Sequence, residues 1–282
     1  MTGMADTAAG FTATFWGVRG SIPTPGPETL RYGGNTPCVE INCGGHVLIF
    51  DAGTGLRVLG HHLERHPPPN EYDIFLTHTH YDHVEGLLFF APAFVTGNVL
   101  RIWAGHLLPD RTIREVINGL MAEPMFPLPL DALHAEARFL DFHAGETLNP
   151  RPGITLRTAP LNHPNRATGY RVDYAGKSIC YVTDTEHFED RLDDNILGLI
   201  AGADYVIYDA SFNNAEYPSK RGWGHSTWEE GLRLVEAAGA KTLVVFHHMP
   251  RRADDELDAL SIQLDRIRPG TLVAREGMVL RV

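Results

Sequence analysis

This 282-residue chain is short of several things, and each shortage removes a class of protein. It has three cysteines, an odd number, and no disulfide framework or zinc ribbon can be read from their spacing. Cys38 and Cys43 flank one expected strand and read as buried thiols of a reducing compartment. No apolar run approaches the roughly 20 residues that a membrane-spanning helix requires, so no membrane partner is expected. Positive charge is scarce: 24 Lys and Arg stand against 35 Asp and Glu, a formal net charge of −11 with the histidines neutral. Such a chain lacks the basic stripe that grips a long nucleic acid, although a small anion drawn to a local positive centre remains compatible with it. Met1 to Gly10 are small and polar, without the basic segment and apolar core of a secretion signal. They are expected to form the flexible start of a cytoplasmic protein. Length and a hydrophobic content of 43% predict one globular domain over residues 1–282.

What the chain has is histidine, gathered in one place. Thr77-His78-Thr79-His80-Tyr81-Asp82-His83 follows an apolar run, Tyr72 to Leu76, that reads as a buried strand. Val84 to Phe90, after it, is expected to begin a packed helix. Three imidazoles and a carboxylate therefore sit on a strand-to-helix loop. His78 and His80 alternate with threonines and point to one side of an extended backbone, while Asp82 and His83 can face a second point nearby. Imidazole and carboxylate suit Zn²⁺ and similar first-row ions, and sites with few protein ligands keep a position open for water. The stretch reads as a two-metal hydrolytic centre. A merely polar surface loop is the simpler reading for single histidines such as His46, His61, His62 and His66, but not for this cluster.

Elsewhere the polar residues fall at expected strand ends. Strands are predicted from Phe11 to Val18, and as a hairpin over Cys38–Cys43 and His46–Phe50 across Gly44-Gly45. Asp51-Ala52-Gly53-Thr54-Gly55 then turns into a helix over Leu56–Arg65, which Pro67-Pro68-Pro69 stops. A strand at Val99–Trp103 and a helix near Arg111–Met121 follow; Glu123 to Pro129 is irregular and a candidate lid beside the site, and Glu123 to Leu133 is a candidate cap on a neighbour's site or its own. The second half predicts strands at Ile154–Ala159, Gly169–Tyr174, Ser178–Thr183, Tyr205–Tyr208 and Thr242–Phe246. Helices are expected at Ser226–Ala238 and Asp254–Ile267, and short strands around Leu272 and Val279. His78, His80, His163, Asp184, His225 and His247 all lie at strand ends or a helix start, where a packed sheet would bring them to one rim.

With those residues in view, the chain resembles the metallo-β-lactamase-fold hydrolases along its whole length. Within them it is similar to the ribonuclease Z and phosphodiesterase branch. The resemblance rests on His78-Thr79-His80-Tyr81-Asp82-His83, with His163, Asp184 and His247 in order, and on Gly224-His225-Ser226-Thr227. Phe15-Trp16-Gly17-Val18-Arg19-Gly20-Ser21, Asp51-Ala52-Gly53-Thr54-Gly55 and His247-His248-Met249-Pro250-Arg251 add to it. It implies an α/β fold, a four-layer αββα sandwich, holding two divalent metal ions, Zn or alternatively Mn. By position, His78, His80 and His163 would bind one ion, Asp82, His83 and His247 the other, and Asp184 would bridge. His248 competes with His247 for the last place, and the register of the motif favours His247. A dimer is also implied by the resemblance. One departure is informative: ribonuclease Z commonly carries a long arm for transfer RNA between the ligands matching His163 and Asp184. Here only 21 residues separate them.

The activity expected from this is hydrolysis of a small phosphodiester, such as a cyclic nucleotide, by a hydroxide held between the two ions, since coordination lowers the pKa of water to near 7. Asp82 is a candidate to orient or deprotonate that water, and His225 to bond the phosphoryl group or protonate the leaving oxygen. The alternative for His225 is a helix-start residue bonded to a loop. Asn213, Asn214, Tyr217 and His248 are candidates for substrate contact, with turn roles equally open to the first three. Asp51 reads as support behind a ligand. Arg19 and Arg166 either meet phosphate or form salt bridges. Competing functions are ribonuclease Z-like RNA processing, thioester or lactone hydrolysis, and a catalytically silent sensor.

Overall fold

The computed structural model describes residues 10–282, so most of the expectation for Met1–Gly10 lies outside the described residues. In chain order the strands are β1 (Phe11–Gly17), β2 (Cys38–Cys43), β3 (His46–Phe50), β4 (Glu71–Leu76), β5 (Val99–Ala104), β6 (Glu136–Asp141) and β7 (Thr147–Arg151). They continue as β8 (Ile154–Leu161), β9 (Ala167–Tyr174), β10 (Lys177–Val182), β11 (Tyr205–Asp209), β12 (Thr242–Phe246), β13 (Leu272–Val273) and β14 (Val279–Arg281). The helices are α1 (Gly55–Leu63), α2 (Tyr81–Val84), α3 (Ile113–Leu120), α4 (Asp194–Ile200), α5 (Trp228–Ala237) and α6 (Asp254–Ile267).

Strand sequences that alternate, or are apolar throughout, become sheets covered on one or both faces. In β1 the buried set is Phe11, Ala13 and Phe15, a period of two, whereas all of β4 after Glu71 is buried. Two seven-stranded sheets result, ordered β14-β1-β2-β3-β4-β5-β6 and β13-β12-β11-β10-β9-β8-β7. Their inner faces share one core, in which Phe50 stacks on Phe75 at 5.4 Å and meets Tyr170 and Tyr181 of the other sheet. Helices α1 and α3 cover the outside of the first sheet, and α4, α5 and α6 the outside of the second. This is the four-layer αββα sandwich.

Strands β3 to β6 run parallel, as do β10 to β13, and β8 shares the direction of β10 because each is antiparallel to β9. The carboxyl ends of β3, β4, β8, β10, β11 and β12 therefore carry Asp51, the histidine loop, His163, Asp184, Asp209 and His247. In α/β sheets that rim is where ligands bind.

Some local expectations need correction. The helix after the histidine loop begins at Tyr81, lasts one turn, and tightens to a 3₁₀ stretch over Glu85–Phe89. Gly86 lies on the Asp51–Gly53 turn, donating to Ala52 O at 2.8 Å, so close that an added Cβ would stand 1.9 Å from Gly53 O. Strands β6 and β7 and helix α4 were not legible in the sequence. Both strands are sheet edges with much exposed surface, and β7 contains Pro150, which is tolerated only where no ladder donor is needed. In the segment expected as a lid, Phe126 packs edge-on against Phe89 at 6.0 Å while Met125 is exposed.

Candidate metal centre

Two sets of metal-ligand side chains converge at the rim. His78, His80 and His163 bring one donor atom each to within 4.8 Å of one another, and so do Asp82, His83 and His247. Asp184 lies between them. Its Oδ1 is 3.8 Å from His78 Nε2 and 3.9 Å from His163 Nε2, and its Oδ2 is 3.2 Å from His83 Nε2 and 3.3 Å from His247 Nε2.

The network behind the rings sets which nitrogen faces inward. His83 Nδ1 meets Asp51 Oδ2 at 2.8 Å, His163 Nδ1 meets Gly224 O at 2.7 Å, and His247 Nδ1 meets Ser211 Oγ at 3.0 Å. The Ser211 hydroxyl is drawn to Asp209 Oδ1 at 2.8 Å, so it accepts from His247. Likewise the Thr77 hydroxyl donates to Asp51 at 2.9 Å and accepts from His78 Nδ1 at 3.1 Å. Each of these four rings therefore aims its Nε2 at Asp184. The Nε2 atoms of His78, His83 and His247 are buried without a hydrogen-bond partner, and His163 Nε2 faces His80 Nδ1 at 3.2 Å. Orphaned, convergent imidazole nitrogens beside carboxylates are a poor arrangement without a cation and a good one with it. The residues fit a divalent metal.

Backbone strain marks the same places. Asp51, Asp184 and His247 adopt φ of 59°, 58° and 63°, a left-handed conformation that costs a non-glycine residue about 1 kcal/mol or more. Asp51 accepts from Thr77 N, Thr77 Oγ1 and Tyr181 OH at 2.8–2.9 Å while holding His83, so one strained carboxylate orders β4, the loop and the opposite sheet. Asp82 Oδ2 accepts from Ser21 N at 2.7 Å, which ties the loop after β1 to the site. Burial opposes protonation of His78, His80 and His163 and lowers all three. Burial also acts on His83, but Asp184, Asp82 and Asp51 overcome it and hold the ring well above its ordinary range. The carboxylates there ask for positive charge, which a proton or a metal ion can satisfy.

Asp209 is a site residue that the sequence reading passed over. Its Oδ2 holds His225 Nδ1 at 2.9 Å, and Asp184 Oδ1 is 3.7 Å from the same nitrogen. Although burial works against it, Asp209 pushes His225 up to about 9, which favours the protonated ring. His225 lines a cavity of about 500 Å³ with Ser21, Thr79, His80, Tyr81, Asp82 and Asp184.

The proposed substrate contacts are not in that cavity. His248 is buried, with Nε2 donating to Ala274 O at 2.7 Å. Asn213 Oδ1 accepts from Ala215 N and Glu216 N, and Asn214 Oδ1 accepts from Thr227 Oγ1, so both are turn residues. Tyr217 is buried and donates to Glu186 Oε1 at 3.2 Å. Arg19, wholly buried, bonds Gly33 O and Arg252 O, and exposed Arg166 pairs with Asp110. None of these is placed to meet a phosphate in the cavity.

Comparison with known proteins gives this geometry a lineage. The family model for the beta-lactamase superfamily domain matches residues 46–248, a span that contains every side chain of both sets. The chain belongs to the beta-lactamase superfamily. It is 29% identical over 265 residues to the ribonuclease Z of Mycobacterium avium (strain 104), covering 84% of this chain and 85% of that one. Among solved structures, the metallo-β-lactamase fold protein YhfI from Bacillus subtilis matches with a TM-score of 0.71 at 20% identity, over 97% of this chain and all of that one. A diphosphatase of the PhnP family matches with a TM-score of 0.70 at 19% identity, over 96% and 98%. The superfamily protein described here is a metallo-β-lactamase-fold, metal-dependent hydrolase of the ribonuclease Z-like branch.

Proposed function

We propose that the protein is a dinuclear phosphodiesterase acting on a small nucleotide phosphodiester, for which a cyclic nucleotide is the simplest candidate. The observation that carries this reading is the pairing of two ligand sets around Asp184 with His225, held by Asp209 at 2.9 Å, on the wall of the same cavity. His78, His80 and His163 would hold one divalent ion, Asp82, His83 and His247 the other, with Asp184 shared; Zn suits these donors and Mn remains compatible. Bound ions would supply the positive charge that stabilises a phosphoryl group as charge builds on it, and would make water nucleophilic near neutral pH. The chain's own residues do the rest. His225, kept charged by Asp209, donates its Nε2 proton to the departing oxygen. Asp82, fixed by Ser21 N, accepts a hydrogen bond from the attacking water and orients it. Asp51 and Ser211 keep His83 and His247 from turning.

Ribonuclease Z-like processing of RNA is the second reading, favoured by the similarity to the Mycobacterium avium protein. Against it stand the net charge of −11 and the path between His163 and Asp184, where both strands of the β9–β10 hairpin are built into the sheet. The test is hydrolysis of 2′,3′- and 3′,5′-cyclic nucleotides by metal-loaded protein, with a precursor transfer RNA alongside and Asp82→Ala and His225→Ala as controls. Cleavage of a cyclic nucleotide that both variants lose is the expected result. Cleavage of the RNA alone would put the second reading first.

A further inference from the structure

A second cavity, of about 500 Å³, opens where the His225 loop meets the segment after His247. Trp223 lies two residues before His225 and Met249 two after His247, and both line it. So does Phe212, whose ring is 6.1 Å from that of His225. Its charge runs against that of the molecule. Lys220, Arg251 and Arg252 face Glu216 and Glu256, one positive charge in excess in a chain of net charge −11. Both carboxylates are engaged by Arg252, Glu216 at 2.8 Å and Glu256 at 3.2 Å, and Arg252 also donates to Ser211 O. Among the described residues, Lys220 and Arg251 have no carboxylate partner. The Lys220 ammonium instead stands 4.2 Å over the Trp223 ring, and that indole is 54% exposed. An exposed tryptophan with a cation on one face and a second unpaired cation across a cavity offers an aromatic surface and two positive charges to an anionic, planar ligand.

We infer that this cavity is a subsite for the part of the substrate beyond the scissile phosphoryl group, with a nucleobase on Trp223 and a second phosphate held by Lys220 and Arg251. The inference rests on the phosphodiester reading and sharpens it. A cyclic mononucleotide has only one phosphate, which the metal centre would take. A subsite for a second one favours a linear substrate, with a nucleoside and another phosphate next to the bond that is cut. Arg252 ties Glu216, Glu256 and the Ser211 carbonyl together beneath the subsite, which leaves Lys220 and Arg251 as the cations free to meet a ligand.

Binding can be tested apart from hydrolysis. Adenosine 3′,5′-bisphosphate carries a base and two phosphates but no phosphodiester bond. By calorimetry the intact wild-type protein should bind it about tenfold more tightly than AMP, and adenosine more weakly still. Trp223→Ala should weaken both nucleotides by about tenfold, the size of one base–aromatic stack, and the double variant K220A/R251A should remove the preference for the bisphosphate. All three side chains are outside the packed cores, so the variants should fold. For a linear dinucleotide substrate the variants should raise KM more than they lower kcat. If the three substitutions leave bisphosphate affinity within twofold of wild type, the subsite is wrong, whatever the enzyme hydrolyses. If the bisphosphate binds through these residues while no phosphodiester is cleaved, the subsite stands and the phosphodiesterase reading falls.

Discussion

The two ligand sets differ in what stands behind them. His163, in the first set, is held by a neutral group, the Gly224 carbonyl, and His80 and His163 are part exposed. The second set is buried throughout and backed by carboxylates on two of its members, with Asp51 directly behind His83 and Asp209, through Ser211, behind His247, whereas Asp51 reaches the first set only through the Thr77 hydroxyl behind His78. Anionic support raises the basicity of an imidazole ligand, and burial slows exchange with solvent. The second position should therefore hold its ion more tightly, and the first, where His80 and His163 are part exposed, should exchange more readily. A centre built in this way would keep one ion as structure and present the other to substrate.

The largest effect should come from abolishing the distinction. Among the described residues, Asp184 alone comes within 4 Å of members of both sets through different oxygens. Asp184→Asn should lose metal from both, read by elemental analysis after dialysis, and hydrolysis should fall at least about a hundredfold. Asp51→Asn should affect the sets unequally. Zinc titrated against a competing chelator should weaken by about 10–100-fold in the tighter phase, where Asp51 holds His83 directly, and by less in the looser phase, which it reaches through Thr77 and His78. A fall confined to the looser phase would reverse the comparison.

Smaller pushes can be given to each set through a glycine. A Cβ at Gly224 would lie 2.3 Å from His163 Nδ1, and this residue has φ of +82°; a Cβ at Gly20 would lie 2.4 Å from His247 Cε1. Gly224→Ala should therefore disturb the looser phase and Gly20→Ala the tighter one, each by about tenfold, less than removal of a supporting carboxylate. If the two variants give the same titration curve, the sets are not separable as argued.

How much of this could be read from the chain depended on whether chemistry or context decided a residue's role. His78, His80, Asp82 and His83 were legible because few structures other than a metal site need three imidazoles and a carboxylate within six residues. Strands β4 and β12 and helix α6 were legible because apolar runs and period alone define them. Asp209 was not, since a lone aspartate after a strand has no spacing to betray it. Its only signal was its place at a strand end before the small residues Ala210 and Ser211. Asn213 and Asn214 were ambiguous for a physical reason: the same amide can close a turn or meet a ligand, and only the folded loop decides. The Trp223 cavity joins elements about 30 residues apart, so no local pattern announces it.

The smallest effect concerns one neutral histidine behind each set. His106 Nε2 meets the Thr79 hydroxyl at 3.2 Å, next to the first set, and His248 stands directly behind His247 in the second. Burial, aided by nearby cations, lowers both to about 3, from an ordinary value of 6.5. A group depressed in the fold takes up its proton more readily when unfolded. Its contribution to stability is therefore complete above about pH 6.5 and is lost as pH falls toward 3. Each ring should cost the chelated protein about 1 kcal/mol between pH 6.5 and 5.5, the value of one pKa unit. In urea unfolding, His248→Gln and His106→Gln should each flatten that slope by a similar amount. His248 is the more completely buried of the two, at 2% exposure against 4%. A slope that flattens only for His248→Gln would mean that the first set's surroundings admit enough water to relieve His106, and would extend the contrast between the sets into the shell behind them.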